Sequence, residues 1–139
     1  MTKSIKIITG FLGISMFMFG VLKFINPFKH WYTQQILLSE LPFKTIPYWS
    51  GQLGEIIVGI GFIILLTNRK ITPSKFNSIF YSGNILVIVM MLVAFYVHLH
   101  PNVPADILPL KISLPFIPGF FLCLAIFNLY LKKKNIEKK

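Results

Sequence analysis

Apolar residues come in four long runs separated by shorter polar, basic or proline-rich segments. The first run covers about Ile5–Ile25, with an uncharged stretch from Ile7 to Leu22. The second, about Ile46–Thr67, contains one charge, Glu55. The third, about Asn77–Val97, and the fourth, about Ile112–Leu131, contain none. About 20 mostly apolar residues suffice for a helix to cross the hydrocarbon core of a bilayer. Backbone polar groups in lipid must be paired internally, and the period-two alternation of a strand is absent, so each run predicts a transmembrane helix. The expected fold is all-α: a polytopic membrane four-helix bundle forming a single integral membrane domain over 1–139. Lys3 and Lys6 before the first run resemble the start of a signal peptide. No small-residue cleavage site follows, and the run ends in Lys23-Phe24-Ile25-Asn26-Pro27, so it reads as a retained span.

The connections differ in character. Residues 26–45 carry Phe28, Trp31, Tyr32 and Phe43, which suits an interfacial segment or a short amphipathic helix. Residues 68–76 are short and basic. Residues 98–111 contain Pro101, Pro104 and Pro109, and Pro115 and Pro118 follow at the start of the last span. Proline is tolerated in a first helical turn, where its missing N–H has no partner anyway. The end of the chain, Lys132 to Lys139, reads as a basic solvated tail.

Composition narrows the classes. Charged residues make up 13% and hydrophobic ones 55%. A typical soluble domain carries about 25% charged residues, so a conventional cytosolic enzyme is excluded, and so is disorder, which needs low hydrophobicity. The single cysteine, Cys123, excludes an intramolecular disulfide framework and a CxxC motif. The net charge of +10 has a topological explanation. Lys3, Lys6, Arg69, Lys70, Lys75, Lys132, Lys133, Lys134, Lys138 and Lys139 share one side of a four-span topology; Lys23, Lys29, Lys44 and Lys111 share the other. This excess of ten cations over four predicts that both termini are cytoplasmic. The expected partner is the lipid bilayer rather than a nucleic acid, because no aromatic and basic platform accompanies the charge.

Candidate chemistry starts at Glu55. An acidic residue inside a span costs about 2.5–3.5 kcal/mol on insertion scales, so it normally faces the bundle interior with a partner. Gly51, Gln52, Glu55 and Gly59 share one face of the second span, and Gly13, Met16, Gly20 and Lys23 form a matching stripe on the first. Glu55 lies about 10 Å below the outer start of its span at 1.5 Å per residue. A lysine leaning from the first span can meet it, giving a Lys23–Glu55 pair. Such a pair either locks two helices together or, with Gln52, forms an intramembrane polar site that handles a proton or polarises a ligand.

A second constellation lies at the outer mouth: His98, His100 and Asp106. The His-x-His spacing converges on one metal only in an extended segment, and a zinc site would need further ligands such as Asp106, Glu55 or His30. No metal is therefore assigned; histidine caps, Asn102 and Asp106 turn residues and an Asp106–Lys111 ion pair are the plainer readings. Cys123, Met16, Met18, Met90 and Met91 read as buried packing. Asn84 and Asn128 read as interhelical hydrogen-bonders. Nucleophile–base motifs, phosphate loops and haem attachment sites are absent from the sequence.

Gly20-x-x-Lys23-Phe24, Gly51-x-x-x-Glu55-x-x-x-Gly59 and the segment His98-Leu99-His100-Pro101-x-Val103-Pro104-Ala105-Asp106-x-Leu108-Pro109-Leu110-Lys111 together resemble DoxX-like small bacterial membrane proteins. The resemblance covers nearly the whole chain. It implies a four-helix bundle in the bacterial cytoplasmic (inner) membrane. Some relatives are quinone-linked subunits of thiosulfate oxidation; others accompany thiol or superoxide defence enzymes, and the family neighbourhood includes methylamine-utilisation proteins. This chain departs from the redox members in having no cysteine pair, so any redox role needs bound quinone or a partner. The leading expectation is a quinone-associated or accessory subunit of a redox or stress-response membrane complex, with an oxidoreductase partner or a homo-oligomer. The alternatives are a carrier of a lipid or small hydrophobic ligand and a non-catalytic scaffold.

Overall fold

The computed structural model describes residues 1–68 and 70–137. Five α-helices follow in order: α1 (Lys3–Leu22), α2 (Phe28–Leu38), α3 (Thr45–Thr67), α4 (Pro73–Leu99) and α5 (Phe116–Glu137). Two 3-10 turns, Ala105–Ile107 and Pro109–Lys111, lie between α4 and α5. α1, α3, α4 and α5 are each long and apolar enough to cross a membrane. The protein is an all-α multi-pass membrane protein. Three of the cations in the charge count, Arg69, Lys138 and Lys139, lie outside the described residues.

α1 packs along α3, α3 along α4, α4 along α5, and α5 closes onto α1. Neighbours run antiparallel: Gly10 faces Leu66, Gly13 faces Phe62, and Gly20 faces Ile56. Association of helices in lipid gains little from apolar burial and depends on close packing and interhelical hydrogen bonds. Both are present. A Cβ on Gly59 would lie 2.5 Å from the backbone nitrogen of Phe17, so α1 and α3 touch backbone to backbone only because Gly59 has no side chain. Leu12, Met16, Phe62, Phe80, Val87 and Ala125 fill the interior with no exposed surface. Deeper along α1, Asn128 of α5 donates from Nδ2 to Thr9 Oγ1 of α1 and to Asn84 Oδ1 of α4, both at 3.1 Å. All three side chains are fully buried, so this triad ties three helices at one level. The interhelical role read for Asn84 and Asn128 is what the structure has.

The helix ends follow proline and turn chemistry, and several differ from the hydropathy limits. α1 stops at Leu22, three residues before the apolar run does, because Lys23–Ile25 turn ahead of Asn26-Pro27. α4 starts four residues before the run, with Pro73 as its first residue, and stops at Leu99 where His100 precedes Pro101. The fourth span starts at Phe116 rather than Ile112, with residues 112–115 outside the helix and Pro118 in its first turn. α5 then continues through Lys132–Lys134 to Glu137, so the tail read as a solvated end is helical there. Lysine is a good helix former, and no proline or glycine interrupts the stretch.

Burial corrects two further expectations. Cys123 is exposed on the bundle's outer surface, and Met18 is 49% exposed. Both belong to helices whose lipid face is as apolar as their core face, so hydrophobicity alone does not tell the two faces apart.

At the end opposite both termini, α2 and the segment 100–111 form a cap. Val97, Val103 and Leu108 make a small second core, flanked by Leu38, Leu41 and Ile107. Gln35 Nε2 donates to the Ile107 carbonyl at 2.5 Å, Tyr96 O–H donates to the Ser39 carbonyl at 3.1 Å, and Asn102 Nδ2 donates to Glu40 at 2.8 Å. The two long connections are thus bound to each other.

Candidate functional site

Lys23 immediately follows α1, where a cation also complements the negative end of the helix dipole. Its Nζ donates to Glu55 Oε1 at 2.7 Å. Glu55 is one helical turn from Gly51 and Gly59 on α3 and is 6% exposed; the Lys23 side chain keeps 19%. Gly20, one turn before Lys23, lies against the Gln52 carbonyl, and a Cβ there would sit 3.0 Å from it. The glycine seam therefore brings the lysine stem close enough for its head to reach the carboxylate.

α2 supplies a residue that the sequence reasoning did not single out. The ring of Tyr32 lies 4.2 Å from Lys23 Nζ, so the ammonium is held between a carboxylate and an aromatic face. The Tyr32 O–H is shared between the carbonyls of Tyr48, at 2.8 Å, and Pro47, at 3.1 Å. Gly51 meets Tyr32 rather than another span: a side chain on Gly51 would collide with the Tyr32 hydroxyl. Burial first, then the charge of Glu55 and the neighbouring Tyr48, pushes the Tyr32 phenol well above the ordinary tyrosine range, so it stays a neutral donor. The available signal was the pairing of Tyr32 in one connection with Pro47-Tyr48 at the entry to α3.

Gln52 lies three residues before Glu55 on the same helix face and is 1% exposed. Its Oε1 has no hydrogen-bond partner among the described residues, and neither has Glu55 Oε2. A buried acceptor without a donor costs about 1–3 kcal/mol, more when charged. Lys23, Gln52 and Glu55 are thus brought together, with Tyr32 as a fourth member and two acceptors still open.

The residues expected at the mouth are placed separately. His98 lies on the last turn of α4, is 7% exposed, and donates from Nδ1 to the Ala94 carbonyl at 2.9 Å. His100 has left the helix, and its Nδ1 accepts from the Asn102 N–H at 3.3 Å. Asp106 is exposed in the first 3-10 turn. His98 is helical and His100 extended, so the two rings do not share the arrangement that a His-x-His metal site needs. Among the described residues no three His, Cys, Asp or Glu side chains are grouped to hold a metal ion, and no ion pair joins Asp106 to Lys111. Comparison of the chain with family models, curated proteins and solved structures gives no match.

Proposed function

We propose that this chain is a DoxX-like accessory subunit that holds a quinone head group beside Lys23, Gln52 and Glu55 and serves a partner oxidoreductase in a redox or stress-response complex. One observation carries the reading: two buried acceptors, Gln52 Oε1 and Glu55 Oε2, stand open beside a lysine that has donors to spare. A quinone, when bound, supplies two-electron chemistry that the amino-acid side chains do not. The residues present fit such a head group. Lys23 has three N–H donors and can donate to a carbonyl oxygen; Gln52 and Glu55 can accept from a hydroxyl. Tyr32 holds the lysine head in place and, as a neutral phenol, adds no charge of its own. We place the protein in the bacterial cytoplasmic membrane, as the DoxX-like resemblance implies, and orient it with both termini inside on the strength of the lysine and arginine distribution.

A photoreactive quinone analogue tests this. Irradiated with the purified protein, it should label peptides of α1 or α3 near Lys23 and Glu55, and excess unlabelled quinone should suppress the labelling. Uniform labelling of lipid-facing residues without competition would reject the proposal.

A second reading rests on a different feature. An open apolar groove of about 230 Å³ runs between α3 and α4, lined by Ile57, Gly61, Phe62, Ile79, Gly83 and Leu86 among others. It would suit the tail of a lipid or other hydrophobic ligand, and labelling confined to these residues would favour a carrier.

A further inference from the structure

The seam between α3 and α4 is hollowed where Gly61 and Gly83 leave it without side chains, and the hollow is the apolar groove of about 230 Å³. Phe62 and Val58, both buried, form its floor, and Ile57 and Leu86, both exposed, stand at its rim. In a bilayer such a hollow opens to hydrocarbon rather than water. Left unfilled, its lining forfeits dispersion contacts, so an acyl chain is the filling that suits its walls. The length also suits one. Ile79 and Leu86 follow Lys75 by four and eleven residues, which places them about 6 and 16 Å further along α4 at 1.5 Å per residue. One leaflet contributes about 15 Å of hydrocarbon. The groove therefore runs the depth of a single leaflet, the one on the side of the termini.

The charges at its mouth choose among lipids. Lys75, Ile79, Ser82 and Leu86 recur at spacings of four, three and four, so Lys75 stands on the stripe that lines the groove, at its membrane-surface end. Helical side chains lean toward the N-terminus, which directs the Lys75 ammonium away from hydrocarbon and toward the headgroups. Lys70, in the connection between α3 and α4, is exposed, as is Lys75. Among the described residues neither joins an ion pair; the pairs are Lys23–Glu55 and Lys133–Glu137. Of the four acids, Glu40, Glu55 and Asp106 belong to the opposite half of the molecule, and Glu137 is paired to Lys133. Two cations without a carboxylate, over an apolar groove one leaflet deep, complement an anionic amphiphile. We propose that the α3–α4 groove seats one anionic phospholipid, with an acyl chain along Gly61 and Gly83 and its headgroup phosphate beside Lys75 and Lys70. The inference rests on the groove of the carrier reading and names the class of lipid that the groove holds; it does not depend on Lys23 or Glu55.

The test places the purified full chain in phosphatidylcholine vesicles carrying a trace of one of two photoprobes. These are phosphatidylglycerol and phosphatidylcholine with identical chains, each bearing a diazirine at the end of one chain. Labelled residues are mapped after irradiation. The phosphatidylglycerol probe should label Ile57 and Leu86 at least about fivefold more than the phosphatidylcholine probe, the worth of one lysine at an anionic surface. Ile14 and Ile126, exposed on α1 and α5, should be labelled equally by both. Lys75→Gln, at an exposed position, should bring the ratio at the groove toward one without reducing labelling by phosphatidylcholine. Ser82→Phe, which fills the groove from an exposed position, should remove groove labelling by both probes. Equal groove labelling by the two probes in the unaltered chain would overturn the inference and leave the carrier reading standing. Groove labelling no stronger than at Ile14 and Ile126 would remove both. A preference for phosphatidylglycerol that is shared by Ile14 and Ile126, or unchanged in Lys75→Gln, would assign it to the basic surface as a whole and also overturn the inference. So would groove labelling that survives Ser82→Phe.

Discussion

Glu55 is the residue on which the interior electrostatics turn. It is held by one lysine at 2.7 Å and is 6% exposed. Removing one partner of a buried pair leaves the other charge uncompensated, whereas an apolar pair of similar volume is often neutral or better. Glu55→Gln should therefore destabilise the bundle by about 3 kcal/mol, the low end of the buried-pair range because Lys23 reaches solvent. The double variant Lys23→Met with Glu55→Leu should recover most of the loss. Unfolding in mixed detergent micelles measures both. Tyr32 adds a pH signature. Its folded pKa is raised above the ordinary tyrosine value of 10.0, mainly by burial, so above that pH the unfolded chain loses a proton that the folded chain keeps. Stability contributed by the neutral phenol is complete below that pH and is lost as pH rises beyond it. In an absorbance titration of the five tyrosines, Tyr32→Phe should remove no phenolate amplitude before alkaline unfolding begins.

The elements show which features of a sequence report structure in lipid. The four spans and the Gly13, Gly20 and Gly59 seam were legible, because span length and small residues are physical requirements of crossing and of close approach. The Lys23–Glu55 contact was legible because a lone acid in an apolar run needs a partner. The facing of α5 was not. Phe120, Ile126 and Phe127 point outward, at 53%, 52% and 49% exposure, while Phe121 and Ala125 point inward. Similar hydrophobicity on both faces gives periodicity no contrast to read. The reach of α5 into the lysines was hidden for a related reason: hydropathy reports where lipid ends, while a helix ends where capping or proline ends it. The seam yields a sharp comparison. Gly59→Ala would drive a Cβ into the Phe17 backbone and force α1 away, at a cost of about 1–3 kcal/mol. Gly61→Ala meets only the Ile79 Cγ2 methyl at 3.3 Å, a contact relieved by a shift of a few tenths of an ångström, and should change stability by less than about 0.5 kcal/mol. Parallel unfolding curves of the two variants check this.

At the scale of the whole molecule, the bundle has two polar levels separated by an apolar layer. The Thr9–Asn84–Asn128 triad lies toward the ends bearing the termini, and Lys23–Glu55 lies under the cap. Leu12, Met16, Val58 and Phe62 are buried in α1 and α3 between the two levels. The cap was the least legible part, because its core joins Leu38 and Leu41 to Val103 and Leu108 across more than 60 positions of sequence with no local pattern to announce it. Its side of the membrane is testable. In a Cys123→Ser background, Phe43→Cys on the cap should react with a membrane-impermeant maleimide added to intact cells. Lys134→Cys should react only after lysis, and the reverse pattern would invert the orientation drawn from the lysine count.

The most direct test of the central claim is the molar ratio of quinone to protein in an organic extract of the chain purified in mild detergent, read by mass spectrometry beside Glu55→Gln. The account predicts a quinone near one per chain in the unaltered protein and its loss in a variant that still accumulates in the membrane. Phospholipid alone in both samples would contradict it and leave Lys23 and Glu55 as a lock between α1 and α3.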